Sequence, residues 1–151
     1  MSENEMITVG EIYLKSEPGS GNMVILKENA QAERYFMMFV GDAEFAAIAK
    51  EKGMIETKRP LTHELYLRIL DKLDVEFVRT EINEMREDTF YATVIFRANG
   101  TDFSVDSRPS DAVALALGRK FPILVKRGLL RRELTQEEIK EYEGIVKGVK
   151  F

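Results

Sequence analysis

Val94-Ile95-Phe96-Arg97-Ala98-Asn99-Gly100-Thr101-Asp102-Phe103-Ser104-Val105-Asp106-Ser107-Arg108-Pro109-Ser110-Asp111-Ala112-Val113-Ala114-Leu115-Ala116-Leu117 is the stretch on which the fold turns. Asn99-Gly100 is the strongest hairpin signal in the chain. A two-residue loop there sets Ala98 opposite Thr101, Arg97 opposite Asp102, Phe96 opposite Phe103 and Val94 opposite Val105. Apolar meets apolar and cation meets anion, so this register is self-consistent. It places Asp106 at the end of the second strand. The chain then passes through Ser107-Arg108 into a helix expected from Pro109 to about Lys120, apolar nearly all round and so expected to be buried.

Outward from the hairpin, period-2 patterning predicts strands at Val75–Ile82 and Thr89–Ala98, and Pro122 begins a short one at Ile123–Val125. Met6–Leu14 reads as a first strand, with Met23–Lys27 and Tyr35–Val40 following. Tyr35-Phe36-Met37-Met38-Phe39-Val40 is apolar throughout, the pattern of a strand covered on both faces. Asp42 is the expected N-cap of a helix running to about Lys52, with a stripe of Phe45, Ile48 and Ala49 and a stop at Gly53. Thr62 is the expected N-cap of a second helix, whose core face is expected to be Tyr66, Ile69, Leu70 and Leu73. Thr135-Gln136-Glu137-Glu138 fits a capping box and opens a last helix to about Lys147, with a thin stripe of Ile139, Tyr142, Ile145 and Val146. The fold class expected is α+β: a mixed, largely antiparallel sheet with about four helices in a single domain.

Composition narrows the chemistry. In 151 residues, 44% are apolar and 32% charged, a globular balance. The net charge of −4 argues against a broad, non-specific nucleic-acid coat but leaves room for a local basic patch. Cysteine is absent and His63 is the single histidine, so disulfides, Cys-ligated zinc, a two-histidine phosphodiesterase and an H-E-x-x-H protease are excluded. There is no P-loop, dinucleotide fingerprint or serine-hydrolase elbow. Acids precede any apolar residue at the N-terminus and no run reaches membrane-spanning length, so the expectation is a cytoplasmic chain without signal peptide or membrane contact. Abundant Glu, Lys and Arg without Cys lean toward a thermophile-like composition.

Two Arg-Pro dipeptides precede helices, Arg59-Pro60 before Thr62 and Arg108-Pro109 before Ala112. A helix start offers free N–H groups and partial positive charge, and an arginine adds a bidentate phosphate donor. Two such ends side by side would form an anion pocket. Each arginine alone has a simpler use, tying a loop to a nearby carboxylate. Asp106 and Asp111 carry the oxygen ligands that a hard divalent cation takes, yet an acid in the first turn, as at Asp111, stabilises a helix without any ion. Ser107 or Ser110 serves equally as a cap. His63 is a general base or acid near neutral pH, or a hydrogen-bonded loop residue. The pairs Lys126-Arg127 and Arg131-Arg132 read as solvated, or as a basic rim.

Asp106-Ser107-Arg108-Pro109-Ser110-Asp111-Ala112 with Ala114-Leu115-Ala116 and Pro122-Ile123 resembles the core motif of the bifunctional nuclease domain family. Arg59-Pro60-Leu61-Thr62-His63-Glu64-Leu65 resembles its R-P-x-T-H-[DE]-L motif. Val40-Gly41 with Glu44 and Ala47-Ile48-Ala49, and Phe90-Tyr91-Ala92, resemble further pieces in the same order. Phe45, Ser107 and Gly118 depart from the usual pattern, and none removes a polar motif residue. The resemblance covers roughly Met6 to Val125. It implies a mixed α+β fold, homodimers or higher homo-oligomers, and cleavage of both RNA and DNA. It places a bifunctional-nuclease-like domain at 1–126, with 127–151 as a helical tail packed on it or at a subunit contact.

Motif and resemblance together give a leading reading, a phosphodiesterase-type nuclease. Arg59, Arg108, Thr62 and Ser110 would hold phosphate. Asp106 and Asp111 would bind Mg²⁺ or Mn²⁺ and position water. His63 would move the proton with Glu64 in support, so that His63, Glu64, Asp106 and Asp111 form the catalytic set. Cleavage of both nucleic acids means the 2′-OH is not required as nucleophile. The alternative is a non-catalytic anion- or nucleic-acid-binding, or oligomeric assembly, domain.

Overall fold

The computed structural model describes residues 2–18 and 21–140. Among the described residues, eight strands form two sheets. The larger is mixed, in the order β1 (Met6–Thr8), β8 (Ile123–Lys126), β5 (Glu76–Arg86), β6 (Thr89–Ala98), β7 (Thr101–Ser107). Every neighbour pair in it is antiparallel except β5 with β8. The smaller is antiparallel, β2 (Glu11–Glu17), β3 (Gly21–Lys27), β4 (Phe36–Val40). With helices α1 (Asp42–Glu51), α2 (Thr62–Lys72), α3 (Pro109–Arg119) and a short α4 (Gln136–Lys140), the chain is α+β.

The hairpin register is the one the Asn99-Gly100 loop dictates: Ala98 faces Thr101, Arg97 faces Asp102, Phe96 faces Phe103 and Val94 faces Val105. Asn99 at φ 52° and Gly100 at φ 75° supply the left-handed backbone such a loop requires. Phe96 and Phe103 stack with centroids 5.5 Å apart, and Arg97 Nε donates to Asp102 Oδ1 at 2.7 Å. The strand expected across Met6–Leu14 is instead two, one in each sheet. They part around Gly10, whose N–H donates to Lys27 O at 2.8 Å and whose Cα lies so close to the Glu28 carbonyl that a Cβ would collide with it. Only glycine lets the backbone cross there.

The main core joins both sheets through α1 and α3. Its fully buried members include Leu14, Val24, Phe36, Phe45, Ile48, Ile82, Val113 and Val125. Burial of a large aliphatic or aromatic side chain contributes about 1.5–3 kcal/mol. α3 is the buried helix expected, with Ala112–Ala116 all buried, and it packs on β5, β6, α1 and α2. Thr80 on β5 donates its hydroxyl to Ala112 O at 3.0 Å, satisfying a buried polar group. A second cluster of Tyr13, Ile25, Tyr35, Met37 and Ile139 covers the other face of the small sheet. That explains the unbroken apolar run from Tyr35, although Phe39 at its end is 62% exposed. Thr135 and Glu138 close the expected capping box reciprocally, at 3.1 and 3.2 Å. The continuation of that helix to about Lys147, with Tyr142, Ile145 and Val146, lies outside the described residues.

Two local expectations fail at helix starts. Gly41 and Leu61 are the N-caps, and Asp42 and Thr62 are the first helical residues. A larger correction concerns α2. Its buried residues are His63 and Leu67, with Leu70 partly buried, while Tyr66, Ile69 and Leu73 are 57%, 48% and 67% exposed. Of the stripe expected to face the core, Tyr66, Ile69 and Leu73 face outward and Leu70 alone packs against it. Gly118 is the reason α2 can sit as it does: a Cβ there would lie 2.6 Å from Leu67 Cδ1, so α3 accepts α2 along its Leu67 line.

Candidate functional site

The start of α2 is wedged against the ends of two other helices. Position Gly118, one residue from the end of α3, faces Leu67, the His63 ring and the Glu51 carboxyl. Glu51 is the last residue of α1. The positive end of α2 thus meets the negative ends of α1 and α3, an arrangement the helix dipoles favour.

Two crossed pairs fasten this junction. His63 Nε2 lies 2.7 Å from Glu51 Oε1, and Lys50 is bound to Glu64. Glu64 Oε1 also accepts the Leu61 N–H at 2.8 Å, which closes the helix start without help from Thr62. Burial pushes the Glu64 carboxyl up. The Leu61 amide, the Lys50 ammonium and the nearby imidazole outweigh this and hold it below the ordinary carboxylate range. His63 is 8% exposed, and its Nδ1 is buried with no hydrogen-bond partner among the described residues.

Glu51, His63 and Glu64 each present one ligand atom, and these atoms lie within 4.8 Å of one another. Two carboxylate oxygens and an imidazole nitrogen form a donor set that borderline and hard divalent cations accept. The residues fit such an ion, with one competitor: Lys50 already neutralises Glu64.

Arg108 caps the start of α3 at its other end. It donates from Nε and Nη2 to the two oxygens of Asp111, at 2.9 and 3.1 Å, and its Nη1 lies 3.1 Å from Glu44 Oε1 on α1. The hydrogen bonds to Asp111, the charge of Asp111 and the bond to Glu44 raise the guanidinium above its ordinary range. Ser110 beside it is buried, and Asp106 is exposed on β7 opposite Thr93.

The expected residues therefore fall into two groups. His63 and Glu64 meet at the Gly118 end of α3, with Thr62 exposed just before them and Arg59 exposed upstream. Arg108, Ser110 and Asp111 lie at the Pro109 end, nine residues and about 14 Å away along the helix axis. The two helix starts do not face each other, and among the described residues no anion pocket joins them. The reason is that α1 and α3 run side by side in the same sense, with Glu44 at Arg108 and Glu51 at Gly118. Glu51 and Lys50 were not legible as site residues, because they fall in the last turn of the expected helix, off its Phe45, Ile48, Ala49 stripe, and no motif marks them. Their one trace is the mirrored order Lys50-Glu51 and His63-Glu64, which lets each charge meet its opposite when two helix ends abut.

A family model described as the bifunctional nuclease domain matches residues 24–138. Two uncharacterized proteins from two strains of Mycobacterium tuberculosis are each 37% identical over 119 residues, covering 79% of this chain and 71% of the relative.

Proposed function

The chain belongs to the bifunctional nuclease domain family, and from that premise we propose that it hydrolyses phosphodiester bonds in RNA and DNA at the Glu51–His63–Glu64 junction. The observation that carries this reading is the convergence of an imidazole and two carboxylates at the start of α2, three residues after exposed Arg59, which has no ion-pair partner among the described residues. Arg59 and the free N–H groups at the start of α2 would bind a phosphate, with the exposed Thr62 hydroxyl alongside. Glu51 orients the imidazole through Nε2; without an ion that nitrogen and the Glu51 carboxylate hold a proton between them, and with an ion bound Nε2 would be a ligand and pass no proton. Glu51, His63 and Glu64 would hold a divalent cation, Mg²⁺ or Mn²⁺, which supplies Lewis-acid polarisation of the phosphate and a bound water of lowered pKa. Lys50 has to leave Glu64 for that ion to enter.

Asp106 and Asp111 stay in the proposal as a second cation position, weakened by the hold of Arg108 on Asp111. Arg108 itself, engaged by Glu44 and Asp111, serves better as a clasp between α1 and α3 than as a phosphate ligand.

The test is hydrolysis of RNA and DNA by purified protein with Mn²⁺, with Mg²⁺ and with chelator, run beside a thermal shift. The ion should raise Tm in the wild type and not in Glu64→Gln. At a hundredfold excess over Kd, ion binding stabilises by about 2.7 kcal/mol. No hydrolysis by the wild type with any ion overturns the enzyme reading. Undiminished hydrolysis by Glu51→Gln and His63→Ala moves it away from this site.

A second reading, a non-catalytic binding domain, is favoured by one feature: Lys50 pairs with Glu64 and Glu51 with His63 Nε2 across the junction, which leaves His63 Nδ1 as its unpartnered atom among the described residues.

A further inference from the structure

We infer that the outward face of α2 is a track for single-stranded nucleic acid leading to the Glu51–His63–Glu64 junction. This rests on the phosphodiester reading above and adds the strand state of the substrate and the residues that hold it.

Three observations converge on this face. First, Leu65, Tyr66, Ile69 and Leu73 leave large apolar side chains in water, 48–67% exposed, along one side of a single helix. A patch of this kind marks an interaction site. Second, Arg59 and Arg68 are the arginines without a carboxylate partner among the described residues. Every other arginine is ion-paired. Lys58 and Lys72 are likewise exposed and unpaired. Lys120, just after α3, and Lys126 on β8 are also unpaired among the described residues, but both unpaired arginines and two of the unpaired lysines gather along α2 and the segment before it, in a chain of net charge −4. Third, the acids nearest this face are occupied: Glu64 by Lys50 and the Leu61 amide, Asp71 by Arg119. Exposed Glu56 and Asp74 bound the basic strip at its two ends.

Cations along one edge, Arg68 and Lys72, and apolar side chains beside them fit a strand whose phosphates and base faces are both available. A duplex hides its base faces, and reading its grooves calls for polar side chains that reach base edges. Tyr66 offers instead an aromatic face on which an unpaired base stacks, and Leu65 and Ile69 add apolar surface beside it. Tyr66 lies one turn along α2 from His63, so a base on its ring brings the neighbouring phosphate toward the junction. A second copy of this chain is the competing occupant of the apolar stripe. A two-fold contact through α2 would bring Arg68 and Lys72 toward their own copies, with Glu56 and Asp74 at the ends of the strip as the unpaired acids available to offset them.

The test is fluorescence anisotropy with labelled dT and U oligonucleotides and a matched duplex, in chelator, over a range of salt. Single strands should bind more tightly than duplex. Tyr66→Ala should weaken single-strand binding on the order of 10-fold, and Arg68→Glu should flatten the salt dependence by about 0.7 in log–log slope per lost phosphate contact. Equal affinity for duplex, or unchanged affinity in both variants, overturns the track. So does light scattering that shows a dimer broken by Ile69→Asp while oligonucleotide affinity stays at wild type. Hydrolysis by the Tyr66→Ala, Arg68→Glu double variant at wild-type KM removes the track and leaves the cleavage reading standing. Single-strand binding lost in those variants, in a wild type that cleaves nothing, keeps the track and removes the cleavage reading.

Discussion

His63 Nε2 sits 2.7 Å from Glu51 Oε1, joining the first turn of α2 to the last residue of α1. The two residues are twelve apart in sequence, and the contact exists because both helix ends stop against α3 at Gly118. Residues that act as one unit do not contribute additively. Glu51→Gln and His63→Ala should each lower hydrolysis about 10²–10⁴-fold, and the double variant should fall no further than the worse single one. Steady-state kinetics on a labelled oligonucleotide checks this; additive losses would mean the two act apart.

The two motif arginines should separate in their effects. Arg59 is exposed and has no ion pair among the described residues, whereas Arg108 is shared between Glu44 and Asp111. Arg59→Ala should raise KM with little change in Tm. Arg108→Ala should lower Tm modestly, since its side chain is 64% exposed, and leave KM near wild type. A KM effect confined to Arg108→Ala reverses the assignment.

The hairpin pair predicts a pH signature. The hydrogen bond from Arg97 and its charge hold the Asp102 carboxyl below its ordinary range. A depressed carboxyl contributes stability above its unfolded value, near 3.8, and loses it as pH falls through the lower folded value. Asp102→Asn should therefore cost a small amount of stability at neutral pH, and the difference from wild type should vanish on acidification. Urea midpoints measured across that range provide the check; a difference that grows toward acid would contradict the sign.

Gly10 should not tolerate a side chain. Ala there would press its Cβ into the Glu28 carbonyl, a backbone atom that cannot swing aside, where the chain crosses between the sheets. The expected loss is about 1–3 kcal/mol, the usual cost of overpacking, read from urea unfolding. An unchanged midpoint would mean that the crossing has room.

Much of this molecule is written in short segments. Asn99-Gly100 selects its turn through two backbone conformations, and the alternation on either side then has one register that pairs Arg97 with Asp102. The buried helix at Pro109, the capping box at Thr135 and the family resemblance of Arg59–Glu64 and Asp106–Asp111 are equally local. Tertiary structure alone decided which of these residues meet. The period of α2 marks an apolar stripe at Tyr66, Ile69 and Leu73, but periodicity carries no sign for inward and outward when a helix is apolar on two sides. Packing against Gly118 chose Leu67 and His63 for the interior. That choice separated His63 from Arg108 by most of the length of α3 and set it against Glu51. A few residues of sequence determine a turn or a cap because the forces involved act within one turn of chain. The distance between two helix starts depends on how three helices stack, and no local pattern states it.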